Sequence, residues 1–440
     1  VPAVFDPAVL ATDPEPRRDV LAALAGVLEA ADPAAAVRRH LRVSPRRLSV
    51  GGRSLPLPRG RFLVLAFGKA APAMAAAALE VLAGREVAGA MASPSGAEIA
   101  PLEAIAAGHP LPNAGSLQAG DRFLSLAGDA GPDDLVLVLV SGGGSALAES
   151  PLPGLTLEDL EEVNRALLRS GAPITEVNTV RRHLSAFKGG RLAAAAYPTP
   201  TATLILSDVV GSPLEAIAGG PTVPDPTTFG DALAVLERWE VTARGARAVL
   251  EAGAAGRLGD TPSGGSAFDG PVVVVADGAT AAAGGAAAAR RRGLEARAAS
   301  TAVQGEARLV GARLAAAARR LRPGQMTLYA GETTVTLAGT GHGGRNQELA
   351  LAAGIALTGS RTGALVASFA TDGVDGPTDA AGGIGDAHTA ARGRRLGLDP
   401  AASLAANDSL PYLDACGDLL RCGPTGTNVG DVMVAYRPRR

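Results

Sequence analysis

The stretch Asp134–Leu147 reads DLVLVLVSGGGSAL. Leu135–Val140 is apolar at every position, so a strand there is covered on both faces, as in a parallel sheet. It runs directly into Ser141, Gly142, Gly143, Gly144 and Ser145. Successive glycines let the backbone curl until its N–H groups converge, and a following helix adds the positive end of its dipole. The stretch therefore predicts an anion-binding loop at a strand's carboxyl end, although a tight strand–loop–helix turn asks for the same glycines. It has neither the GK[ST] ending of a P-loop nor the spacing of a GxSxG elbow.

Similar signals recur on either side. Strands are predicted at Phe62–Phe67, Val87–Ala92, Thr203–Ser207, Val272–Ala276, Met326–Ala330, Thr333–Ala338, Leu365–Ala370 and Val432–Tyr436. Ala-rich helices fall between many of them, such as Ala70–Ala83, Leu157–Arg169 and Ala281–Arg292, because alanine has the best helix propensity. Buried strands alternating with helices define an α/β fold on a mostly parallel sheet. The adjacent strands at Met326 and Thr333 predict a hairpin, hence a mixed sheet in the C-terminal half. The Gly- and Ser-rich segment Glu251–Gly270 marks the domain boundary, giving domains 1–250 and 251–440.

The 440 residues are 47% hydrophobic but only 3% aromatic, so helices must pack closely on small side chains. A net charge of −2 argues against a nucleic-acid partner. The N-terminal stretch has early acids and prolines and no apolar signal region, and no run approaches a membrane span. A cytoplasmic protein without a membrane partner is expected, with Cys416 and Cys422 reduced. A homodimer is left open.

Rare residues point to a site. Of 41 basic residues only Lys69 and Lys188 are lysine, each beside glycine, in AFGKAA and AFKGGR. A position that stays lysine in so Arg-rich a chain is expected to need a compact point charge instead of a planar fork. Asparagine is also scarce, with six in the chain, and Asn178, Asn346, Asn407 and Asn428 lie in polar, glycine-containing clusters.

Those clusters carry the candidate chemistry. Asp208 follows a buried strand directly, where open α/β sheets bind ligands, and a carboxylate there suits Mg²⁺ or a substrate hydroxyl. The stretch NTVRRHLSAFKGGRLA (Asn178–Ala193) brings Asn178, Arg181, Arg182 and Lys188 together; helical spacing puts the first three on one face, fit for an acidic substrate or a solvated surface. In GTGHGGRNQE, Gly339, Gly341 and Gly344 match GxGxxG, a dinucleotide fingerprint. Arg345 directly after it favours another reading: Gly341, Gly343 and Gly344 form an ATP-binding loop whose amides cradle phosphate and which delivers Arg345 to a phosphoryl group. Asp372, Asp375 and Asp379 crowd TDGVDGPTD, where Asp372 suits a site near Mg²⁺–nucleotide. Asn407 and Asp408 read as a helix start. Thr425 and Asn428 lie in a polar loop fit for a base, ribose or phosphate. His109, in HPLPN, either lines the site or only makes a turn. No CxxC, HExxH or histidine cluster suggests zinc.

Taken in order, these motifs resemble the class II glycerate 2-kinases, the family whose C-terminal part is the MOFRL domain. The resemblance runs from about Phe67 to Asp431 through FGKAA, HPLPN, SGGGSAL, NTVRRHLSAFKGGRLA, SDVVGSPLEAIAGGPT, GETTV, GGRNQELAL, TDGVDGPTDAAG, NDS and GPTGTNVGD. It implies a Rossmann-like three-layer N-terminal domain, a C-terminal MOFRL α/β domain with a mixed sheet, and an active site in the cleft. It implies phosphoryl transfer from ATP to the 2-hydroxyl of D-glycerate, with Mg²⁺ or another divalent cation. The family's functional lysine and arginine fall on Lys69 and Arg345. Ser212 departs from the acidic residue common in the family. The alternative activity is an NAD(P)H-dependent hydroxypyruvate reductase.

Overall fold

The computed structural model describes residues 5–439. By its contacts the chain divides into two units: residues 33–207 with 212–275, and the segment ending at Asp32 with 208–211 and the described residues from 276 onward. Among the described residues no single helix is long and apolar enough to cross a membrane.

The first unit is built on six strands in the order Glu103–Ala106, Val87–Ser93, Phe62–Phe67, Leu135–Val140, Thr201–Leu206, Val272–Ala276. The first five pair in parallel. Phe62–Phe67, Leu135–Val140 and Thr201–Leu206 are buried at every position, as their unbroken apolar reading requires. In order of appearance the strands run 3-2-1-4-5-6, which is Rossmann topology. The order reverses between Phe62–Phe67 and Leu135–Val140, so their carboxyl ends flank the switch point where such sheets bind ligands. The helices Leu157–Ser170, Ile174–His183, Phe229–Arg238 and Arg244–Ala254 contribute to a separate core around Val163, Leu167, Val180 and Leu236. Thr156 and Thr228 start two of them with capping boxes.

The second unit holds a seven-stranded mixed sheet. Its central strands, Gln325–Thr334, Asp431–Arg437 and Leu365–Ala370, pair antiparallel. The hairpin expected at Met326–Ala338 does not form: Gln325–Thr334 is one long strand. Its edge takes two short parallel partners in succession, Glu295–Ala298 and Val303–Glu306. Val335–Gly344 leaves the sheet instead of turning back, because the Ala338 and Gly339 amides donate to Asn407 Oδ1 at 2.7 and 3.0 Å. The short strands Gly382–Asp386 and Leu419–Leu420 carry too weak an apolar signal to be read from sequence.

The unit division differs from a break near residue 250. The crossing lies after Val275, and the N-terminal helix Pro14–Ala30 packs with the second unit. The cause is close helix packing on small residues. A Cβ added to Gly26 would lie 2.4 Å from Ala288 Cβ, and one on Gly284 would lie 2.2 Å from Ala30 Cβ. A charged network locks the same helix down. Arg17 is fully buried; it donates to Asp386 at 3.1 Å, to Asp418, and to the carbonyls of Val9 and Gly417 at 2.8 and 2.7 Å. Arg392 bonds both carboxylates from outside. Arg17→Met leaves these carboxylates with half their compensation. It should cost about 3 kcal/mol of unfolding free energy, the low end for breaking a buried ion pair, as read by urea denaturation.

Candidate active site

At the switch point two loops are stitched together. A Cβ on Gly68 (φ +128°) would lie 2.1 Å from Ser141 Oγ, so only glycine fits. The Lys69 amide donates to Gly142 O at 2.9 Å, and the Ala70 amide to Ser141 Oγ at 3.0 Å. The side chain of Lys69 is exposed. In the glycine loop the Gly144 amide turns back onto Ser141 O at 3.1 Å. The amides of Gly142 and Gly143 meet no acceptor among the described residues. His109 also reaches this loop: a Cβ on Gly143 would lie 2.8 Å from His109 Cδ2 and 3.4 Å from Lys69 Cγ. Burial, and then the Lys69 charge, hold the His109 imidazole below its ordinary pKa.

The cationic stretch does not share one face toward a ligand. Lys188 is fully buried and paired with Glu149, whose Oε1 also accepts from Ser185 Oγ at 2.6 Å. Burial pulls the Lys188 pKa down and Glu149 opposes it. Its stem lies where a Cβ on Gly219 would come within 2.5 Å of Cδ. Lys188 thus stays lysine because an unbranched chain fits that slot. The expectation of a substrate contact is corrected: it is an internal counterion. Arg182 is corrected likewise, being buried with Nε donating to Asp225 Oδ2 at 2.8 Å. Asn178 is buried on the same helix. Arg181 differs. It is half-buried, has no carboxylate within ion-pair distance among the described residues, and donates to Ser145 Oγ of the glycine loop at 2.6 Å. Burial lowers its pKa, with the charge of Glu149 opposing.

In the second unit Arg345 opens the helix Arg345–Leu357. Its Nε and Nη2 grip Asp431 at 2.6 and 3.1 Å, and Nη1 donates to Glu332 Oε1 at 2.6 Å. Burial would lower its pKa, but Asp431 and Glu332 outweigh burial and raise it. Burial pushes the Asp431 carboxyl up to about 6, with Arg345 pulling the other way. Three of the five guanidinium N–H groups are used, which leaves two for a ligand. Glu332 and Asp431 were not singled out from sequence; both lie in motifs already quoted, GETTV and GPTGTNVGD, but nothing in one dimension pairs them with Arg345.

The glycine loop before Arg345 is itself held from within. The Gly341 amide donates to Ala406 O at 3.0 Å and the His342 amide to Asp408 Oδ1 at 2.8 Å. Asn407 anchors it from φ +57°, with Nδ2 on Glu348 Oε2 at 2.9 Å. The next helix is capped by Asp375, which accepts from the Asn346 and Gln347 amides at 3.1 and 2.8 Å. Gly341 is therefore not a phosphate cradle. Gly343 and Gly344 are required instead for close approach: Cβ atoms there would lie 2.2 Å from Ser409 Oγ and 2.3 Å from Asp375 Cγ.

Asp208 accepts from Asn428 Nδ2 at 3.3 Å. Thr425 donates its hydroxyl to Thr371 O and its amide to Asp372 O at 3.2 Å, so its role is to shape the loop. Asp208 thus bonds the Thr425–Gly430 loop through its carboxylate and Asp372 through its backbone carbonyl. Among the described residues no three His, Cys, Asp or Glu side chains converge as a metal cage. One or two carboxylates on a polar loop suit Mg²⁺, which keeps several waters and is held largely through substrate phosphates.

A Rossmann-ordered sheet with a lysine and free loop amides at its switch point belongs to the phosphate-binding α/β class. Comparison with known proteins is more specific. Residues 19–252 match the family model described as a domain of unknown function, DUF4147, and residues 325–431 match the MOFRL family. A Pyrococcus horikoshii protein named glycerate 2-kinase is 40% identical over 93% of this chain and 94% of its own. A Thermotoga maritima D-glycerate 2-kinase is 42% identical over 85% and 90%. A solved Thermotoga maritima glycerate kinase superposes with TM-score 0.85 at 37% identity, covering 96% of this chain and all of that one. The chain belongs to the MOFRL-containing glycerate 2-kinase family.

Stability separates the two kinds of cation. Lys188→Met strands Glu149 as an unpaired buried charge and should cost about 3–5 kcal/mol. Arg181→Met breaks one hydrogen bond to a neutral group and should cost about 1 kcal/mol. Thermal or urea unfolding of both variants checks the contrast.

Proposed function

We propose that this chain transfers the γ-phosphoryl group of ATP to the 2-hydroxyl of D-glycerate, giving 2-phosphoglycerate and ADP. The observation that carries the reading is the switch-point site of a glycerate kinase family member. There an exposed lysine is stitched to a loop with two unoccupied amides. Phosphoryl transfer asks a protein for positioning and positive charge more than for covalent chemistry. Lys69 and Arg345 supply charge to the transferring group, Arg345 through the two N–H groups its carboxylates leave open. The Ser141–Ser145 loop binds phosphate oxygens. Arg181, which has no carboxylate within ion-pair distance among the described residues and bonds the glycine loop, binds the glycerate carboxylate together with Asn178. Asp208 and Asp372 would hold Mg²⁺ or another divalent ion, which when bound neutralises phosphate charge.

A hydroxypyruvate reductase reading draws on provisional names of that kind on two Agrobacterium vitis relatives, 41% and 40% identical over 85% of this chain. In the fingerprint that would carry it, Gly339–Gly344, the Gly339, Gly341 and His342 amides donate to Asn407, Ala406 and Asp408, which argues against a dinucleotide on those amides. A steady-state assay separates the two. ADP release that requires D-glycerate supports the kinase; NADH oxidation by hydroxypyruvate with no ATP effect contradicts it. Arg345→Ala should lower kcat about 10³-fold or more, as for other phosphoryl-stabilising arginines. A variant of near-normal kcat would remove Arg345 from the mechanism. Lys69→Arg should also turn over poorly, since a planar fork replaces a point charge.

A further inference from the structure

His109 has no part in the reading above, and its setting is unlike that of His183 and His40. His183 has Nδ1 2.9 Å from Thr179 O and Nε2 3.2 Å from Thr227 O. His40 Nδ1 lies 2.9 Å from Ala36 O. The His109 ring has no hydrogen-bond partner among the described residues and is exposed. It is nonetheless held in place. The Gly108 amide donates to Asn113 Oδ1 at 2.9 Å and to Ser116 Oγ at 3.2 Å. Asn113 and Ser116 form the capping box of the helix Ala114–Gly128, so the loop that carries His109 is clamped to a fifteen-residue helix. That clamp sets the imidazole on Gly143: a Cβ there would lie 3.0 Å from Nε2, with the Lys69 stem on the same atom.

We propose that His109 is a catalytic residue that accepts the proton of the attacking hydroxyl during phosphoryl transfer. The inference rests on the kinase reading. In the step, a bond forms between the 2-oxygen of the acceptor and the γ-phosphorus. The bond from that phosphorus to the β–γ bridging oxygen breaks, with its electron pair leaving on ADP. The hydroxyl proton passes to an unprotonated ring nitrogen of His109 and from there to water. A base for this task must be unprotonated at working pH and within reach of the reacting oxygen. The charged group packed at His109 within this unit is Lys69; the Ser141–Ser145 loop brings only serines and glycines, and residues 107–113 carry no other charge. Partial desolvation of the ring where it lies on Gly143, and then the Lys69 ammonium, both favour the neutral form. Lys69 thus serves twice, drawing the phosphoryl oxygens and keeping the base free.

The test is the pH dependence of kcat and of kcat/KM for D-glycerate, with the intact chain, ATP and Mg²⁺. For the wild type, activity should fall on the acid side with a midpoint below the ordinary imidazole value of 6.5. His109→Asn keeps a planar polar side chain but removes the base. It should lower kcat about 10²–10⁴-fold, leave KM for glycerate nearly unchanged, and abolish that acid limb. His109→Gln should behave the same way. A loop-packing role alone would instead raise KM and leave the pH profile in place, and that result overturns the proposal. So does a kcat within a factor of about three of wild type. A wild-type chain that makes no phosphoglycerate removes the kinase reading and this proposal with it; an active wild type with unaffected variants removes only the proposal.

Discussion

Two loops leave neighbouring parallel strands at Phe67 and Val140 and meet where Gly68 has room only for a hydrogen atom. Everything proposed for the first unit depends on that approach. It lets Ser141 Oγ take the Ala70 amide and Gly142 O take the Lys69 amide, so lysine and glycine loop form one rigid piece. The strand order makes this the place where a ligand fits, because the chain departs in opposite directions from the two strands. The clamp at Asn113 and Ser116 then brings a third chemical group, His109, onto the same loop.

Charge compensation sorts the remaining candidates. A buried ion is tolerated when paired, so a cation with a buried carboxylate is already explained by folding. Lys188 with Glu149 and Arg182 with Asp225 are explained in this way. Arg181 is not, and Arg345 only in part, since two of its donors remain available. The two carboxylates on Arg345 hold its fork on three bonds, which pre-orders a long side chain that would otherwise lose entropy on meeting a ligand. The same logic demotes the GxGxxG match, whose Gly339, Gly341 and His342 amides are spent on Asn407, Ala406 and Asp408.

Much of the fold was legible because central strands, parallel or antiparallel, write themselves as largely apolar runs: Phe62–Phe67, Leu135–Val140, Val272–Ala276 and Leu365–Ala370 stand where the residues predict them. Short strands such as Gly382–Asp386 were not, since glycine and aspartate carry no strand signal and are recruited by their neighbours. The false hairpin at Met326–Ala338 arose because GETTVTLA reads as a second strand, while the tertiary anchor that pulls Val335–Gly344 away, Asn407, is remote in sequence. Composition pointed to both lysines for one reason, yet Lys188 turned out to be set by a narrow slot beside Gly219. Glycine motifs marked loops reliably; they did not say whether the amides face a ligand or the protein's own carbonyls.

The central claim, that this chain moves a phosphoryl group onto the 2-hydroxyl of D-glycerate, is tested most directly by phosphorus NMR of the product. Purified protein with ATP, Mg²⁺ and D-glycerate should yield the 2-phosphoglycerate resonance in step with ADP. A 3-phosphoglycerate resonance would contradict the acceptor oxygen assigned here, and no new phosphate ester at all would contradict the account as a whole.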